Sequence, residues 1–157
     1  MPSSSVTAAA GLKAALTDAM TDLVAAQEVL VTFGHPGASM GNWRDLVSFA
    51  DVVSEQMPGP MGTNRSRNET LRQTVWVSVF RPGEADQERV ASDRAYELLG
   101  LLERYVRVTD TTLGGVALWC FLTSHTSTGQ TDPAELASGR LIEIEAVFTA
   151  QVRITGP

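Results

Sequence analysis

The run at residues 140–154, RLIEIEAVFTAQVRI, constrains the fold more than any other stretch of the chain. Read with a period of two, Ile142, Ile144, Ala146, Phe148, Ala150, Val152 and Ile154 fall on one side. Leu141, Glu143, Glu145, Val147, Thr149, Gln151 and Arg153 fall on the other. The first set has no polar member, so this strand must press one face on an apolar layer and leave the other polar. Glu143 and Glu145 then stand side by side, roughly 7 Å apart at the rise of a strand. That separation suits the paired carboxylates of an inverting glycosidase. Such chemistry needs the two groups on different walls of a cleft, with one desolvated enough to hold its proton. A single strand face supplies neither, so the pair is expected to be a polar sheet face.

The other elements follow from similar patterns. Leu12, Leu16, Ala19 and Leu23 recur at helical spacing near the N-terminus, with Ser4, Ser5 or Thr7 available as caps. EVLVTF (28–33) predicts a short strand stopped by GHPG, and DLVSFADVV (45–53) a second strand, with a helix as the alternative. TLRQTVWVSVF (70–80) predicts a third, ended by Pro82 and Gly83. From Glu84 an amphipathic helix carries Ala91, Ala95, Leu98, Leu102 and Tyr105 on one stripe, with Glu88, Arg94 and Glu97 off it. VALWCFLTSHT (116–126) and residues 140–154 are the last two strands, joined by the polar GQTDPAELASG. MPGPMGTNRSRN (57–68) has no period and predicts a long loop, a kind of segment usually functional or disordered in compact domains.

The order α-β-β-β-α-β-β predicts one α+β domain over residues 1–157. Its sheet is largely antiparallel, with about five strands and two helices on one face. A chain of this length buries on the order of two-thirds of its unfolded surface, enough for a single core.

Several function classes are disfavoured. The formal charge of −6 comes without a basic stripe, which argues against binding nucleic acid or anionic lipid. Lys13 is the only lysine, a bias typical of GC-rich coding. Cys120 is the only cysteine, so it has no disulfide partner and is expected to be a buried thiol. The N-terminus lacks the pattern of a secretory signal, and no apolar run reaches the ~18 residues of a membrane span. NRS at 64 and NET at 68 therefore read as exposed polar loop rather than glycosylation sites, and a cytoplasm-like compartment is expected.

The one literal catalytic motif is GASMG (37–41), which matches Gly-x-Ser-x-Gly around Ser39. The helix that should follow a nucleophile elbow is replaced by NWRDLVSF, and the chain is too short for that fold's sheet. His35 and His125 have no metal-ligand spacing, and no phosphate-cradling glycine loop is present. No enzymatic activity, metal or cofactor is expected. Trp76 shares its strand face with Thr74, Ser78 and Phe80, and Val147 lies with the glutamates. A face half polar and half apolar points to contact with other protein.

Taken in order, VTAAAGLKAALTDAM leading to VLVTFGHPG, RNETLRQTVWVSVFRPG leading to ERVASDRAYELLGLLERYV, then DTTLGGVALWCFL and the closing strand resemble the tail terminator proteins of long-tailed bacteriophages. The likeness runs over nearly the whole chain and rests on order and spacing rather than on a single diagnostic motif. It implies a structural virion protein, assembled in the host cytoplasm, that forms a hexameric ring at the head-proximal end of the tail. The ring would stop tube polymerisation and meet the tail tube protein on one side and head–tail connector proteins on the other. DNA would pass through without specific binding, a passage that an acidic protein suits. The alternatives are another neck component, such as a head–tail adaptor or tail completion protein, and a small serine hydrolase using Ser39. Trp43, Arg44, Met57, Met61, Arg65 and Arg67 are the candidate inter-subunit or tube contacts, and Glu143 and Glu145 the polar sheet face.

Overall fold

A computed structural model describes residues 4–37, 43–56 and 66–155. It is an α+β sandwich in the expected order. Helix α1 (Ser5–Leu23) is capped by Ser4, whose side chain accepts a hydrogen bond from the Thr7 amide. Strands β1 (Leu30–Thr32), β2 (Asp45–Gln56) and β3 (Ser66–Arg81) precede helix α2 (Asp86–Arg104), and β4 (Trp119–Ser127) and β5 (Arg140–Thr155) close the chain. The sheet order is β1-β2-β3-β5-β4. Every pairing is antiparallel except the short β1–β2 ladder. The second segment is thus a strand and not the alternative helix.

The apolar period of β5 decides its place. Beside β3 it pairs without a register shift from Arg140 to Thr155, in the interior of the sheet between β3 and β4. Ile142, Ile144, Ala146, Phe148, Ala150 and Val152 are fully buried. Over them α2 lays Ala91, Ala95, Leu98, Leu99 and Leu102, while α1 adds Leu12, Leu16 and Met20. Both helices lie on this one face. Burying a side chain such as Phe148 contributes about 1.5–3 kcal/mol, so the layer accounts for most of the fold's cohesion.

Several details differ from expectation, among them the ends of β1, β2 and β4. Strand β3 starts at Ser66, so residues 66–68 belong to it and not to the loop expected at 57–68. The ladder continues there because β5 is equally long and offers a partner as far as Thr155. Helix α2 starts at Asp86 rather than Glu84, and its stripe ends in a π-helical turn, Tyr105–Thr109, which keeps Val106 buried after the α-helical bonds stop. Finally, β2 bulges between Phe49 and Val52, opposite Val75 and Gln73. Gln73 is buried on the helix face, and its side-chain amide donates to the carbonyls of Ala50 (3.1 Å) and Thr74 (2.8 Å). A polar residue in an apolar row is tolerated there because the bulge leaves carbonyls in need of a donor.

Candidate interaction surfaces

The residues suspected of chemistry do not converge. Ser39 lies outside the described residues. His35 follows β1 at one edge of the sheet and accepts the Gly37 amide on Nδ1 at 3.0 Å, the role of a turn residue. His125 sits on β4 at the opposite edge, edge-on to the Tyr96 ring with centroids 5.7 Å apart. Among the described residues no cluster of His, Cys, Asp and Glu has metal-binding geometry, and no helix is long and apolar enough to cross a membrane. Cys120 is fully buried, and burial pushes its thiol up to about 12, which keeps it protonated and unreactive.

What the fold does bring together is surface. Neither α1 nor α2 covers the opposite face of the sheet, which only the connection from β4 to β5 approaches, at Leu141 and Glu143. Glu145 is exposed there and Glu143 half-buried, facing Trp76 and Ser78 of β3 across the ladder. Around them lie Phe80, Leu141, Val147 and, on β4, the stacked pair Trp119 and Phe121, with centroids 5.6 Å apart. Phe121 is 44% exposed. Trp119 is steadied by donating its indole N–H to Gln151 at 3.2 Å. Thr149, expected to be wet, is buried on this face because the Thr123 hydroxyl lies 2.7 Å from its own. Both lateral edges are also open among the described elements: β4 has one neighbour, and β1 covers only Leu46–Ser48 of β2.

A second surface lies at the end of the sheet where β2 begins and β3 stops. Trp43 is 41% exposed, and Arg44 beside it is exposed too. Arg44 lines a cleft of about 410 Å³ with Glu28, Asp45, Arg81 and Arg94. Asp45 is 5% exposed at its floor and is shared by two guanidinium groups, Arg81 on Oδ1 at 2.6 Å and Arg94 on Oδ2 at 2.9 Å. Burial alone would raise the Asp45 carboxyl. The hydrogen bonds and charges of Arg81 and Arg94 outweigh that and hold it below its ordinary range. Arg94 also binds Gln27 and Glu97. Arg44 makes no ion pair within the described structure.

The connection from β4 to β5 forms the third feature, the rim of a cavity of about 470 Å³ lined in part by Asp132, Glu135, Leu141 and Glu143. Thr131 fastens it: its amide donates to Glu88 on α2, and its hydroxyl accepts from the Leu141 amide at 3.1 Å. Hydrogen bonds from the Thr131 side chain and amide hold the Glu88 carboxyl below the usual range. Asp132 caps the 3₁₀ turn Pro133–Glu135. Gly139, at a φ of 144°, immediately precedes β5, where an added Cβ would strike the Arg81 carbonyl and the Phe80 ring at 2.7 Å, so no other residue fits without displacement.

Of the expected contact residues, Arg44 lines the cleft and Trp43 precedes it in the chain. Met57, Met61 and Arg65 lie outside the described residues. Arg67, expected in the loop, is in β3 and spends its charge within the chain, its Nε donating to the buried Glu69 at 3.0 Å. Sequence patterns do not single out Asp45, Arg81 and Arg94. Their only signal is an acid opening a strand and an arginine closing one. No protein-family model matches the chain, and no curated protein is significantly similar to it.

Proposed function

We propose that this protein is a structural subunit of a long-tailed bacteriophage: a tail terminator that forms a ring at the head-proximal end of the tail tube, stops tube growth and joins the tail to the head connector. The single observation that carries this reading is the one-sided sheet. All the helical mass lies on one face. The other face and both edges offer aromatic, threonine and glutamate side chains to a partner. A patch of that kind is characteristic of proteins whose role is contact. The resemblance in element order supplies the particular assembly, and the net charge of −6 suits a ring through which DNA slides without being held.

The test is structural and functional together. Purified protein, alone and mixed with tail tubes, would be imaged by electron microscopy, and tube lengths measured with and without it. Rings seated at one end of tubes of uniform length are the expected result. Protein that neither self-associates nor alters tube length would overturn the reading, and binding to connector rings alone would reassign it to another neck component.

A further inference from the structure

We infer that copies of this chain join side by side through an ionic plug and socket, in which Glu135 and Leu136 of one copy enter the Arg44 cleft and cover Trp43 of the next. The inference rests on the ring reading and names the surfaces that would mate in it.

The socket has an uncommitted cation. Arg81 and Arg94 are tied to Asp45, and Arg94 also to Glu97, whereas the Arg44 guanidinium is exposed and unpaired within the described structure. An exposed tryptophan beside an arginine-lined cleft has the composition of an interface hot spot. Asp45 keeps the two inner arginines fixed, so the wall of the cleft beside Arg44 needs no reordering when a carboxylate arrives.

The plug is equally prepared. Glu135 is exposed and has no ion pair in the described structure, and the adjoining Leu136 is 45% exposed. Their turn does not need ordering on contact, because Thr131 is bound to Glu88 and Leu141, Asp132 caps the turn, and Glu135 accepts the Ser138 and Gly139 amides through its carbonyl. One acidic and one apolar side chain thus match one cation and one exposed ring.

Position supports the match. Asp45 opens β2 and Arg81 ends β3, while the plug runs into the start of β5, whose Arg140 pairs with Arg81. Socket and plug therefore lie at the same end of the sheet. They sit on opposite flanks of it, one at β2 and the other between β4 and β5. A neighbour set beside the molecule in the same orientation brings plug to socket at one level. That contact is heterologous, and it generates a ring when the rotation closes.

The experiment uses the full chain, followed by mass photometry and light scattering over a concentration series. Arg44→Glu and Glu135→Arg are each expected to weaken association roughly ten- to hundredfold, and the double exchange to recover most of it, as a swapped charge pair should. Glu28→Gln, which removes the one carboxylate on the cleft that has no cationic partner in the described structure, should tighten association by severalfold. Trp43→Ala should weaken it at all salt concentrations, whereas the charge effects should fade at high salt. Both reversals lie at exposed positions, and unchanged thermal melts would confirm that each variant is folded. Wild-type oligomers that withstand both reversals would overturn the plug and socket while leaving the ring intact. Two damaging reversals without recovery in the double exchange would overturn the pairing of these two surfaces. A wild-type chain that stays monomeric throughout would overturn both this inference and the ring.

Discussion

On the helix side of β5, Ile142, Ile144, Ala146, Phe148, Ala150 and Val152 have no exposed surface. On the other side Glu145 and Arg153 are exposed, and Glu143, Val147 and Gln151 are half-buried. One backbone carries both rows, and the two rows meet different neighbours. The first packs against α1 and α2 within the chain; neither α-helix covers the second. Stability rests on one row, and on the proposed reading association rests on the other, so a change at one position should alter one property and leave the other nearly untouched.

The sharpest way to break that division is to charge the packed row. Ile144→Asp or Phe148→Asp buries a carboxylate without a partner and should destabilise by more than about 4 kcal/mol, leaving protein that aggregates or fails to fold. A cooperative melt close to the wild-type midpoint would mean that the faces are assigned the wrong way round.

Asp45 tests the polar end of the same packed layer. Asp45→Asn leaves Arg81 and Arg94 without their shared counter-ion and should destabilise by about 2–4 kcal/mol. Its pH dependence carries a sign. The folded-state pKa lies below the ordinary value of 3.8, so the carboxylate contributes stability above about pH 4, and that contribution is lost as pH falls through the folded-state value. The variant should accordingly show a shallower loss of stability on acidification, read from melts between pH 7 and pH 3.

Gly139→Ala should follow at about 1–3 kcal/mol, since the added methyl meets the Arg81 carbonyl and the Phe80 ring at a positive φ. If its melt matches the wild type, the tight entry into β5 is looser than its geometry implies.

The bare row and its β4 neighbour Phe121 should respond least. Glu143→Gln should shift stability by only a few tenths of a kcal/mol, and Phe121→Ser by under about 1 kcal/mol. If the proposed tail-terminator reading holds, the serine variant should nonetheless bind tail tubes less well, seen as fewer capped tubes at equal concentration. A bare-row change that unfolds the chain yet spares assembly would reverse the comparison.

Much of the fold is legible in the sequence alone. The period of β5, the stripes of both helices and the Ser4 cap are local patterns, and each is realised close to where it is expected. At the candidate surface the sequence points to Trp43 and Arg44, because a tryptophan and an arginine outside any periodic segment have no core to serve. It does not point to Arg81 and Arg94, which reach Asp45 across separations of 36 and 49 residues. Nor does it mark Glu135 and Leu136 as anything but a polar connection. Arg67 reads as a loop cation, and only the length of β5 draws it into a strand beside Glu69.

By itself, then, the sequence determined which residues alternate, which lie on a stripe and where turns interrupt them, because these depend on backbone geometry over a few residues. Only the tertiary structure decided that β5 lies between β3 and β4, that Gln73 serves a bulge in β2, and that three distant charged residues form the floor of one cleft. Strand order and charge pairing depend on contacts between residues far apart in the chain, and no local period encodes which distant partner a side chain will meet.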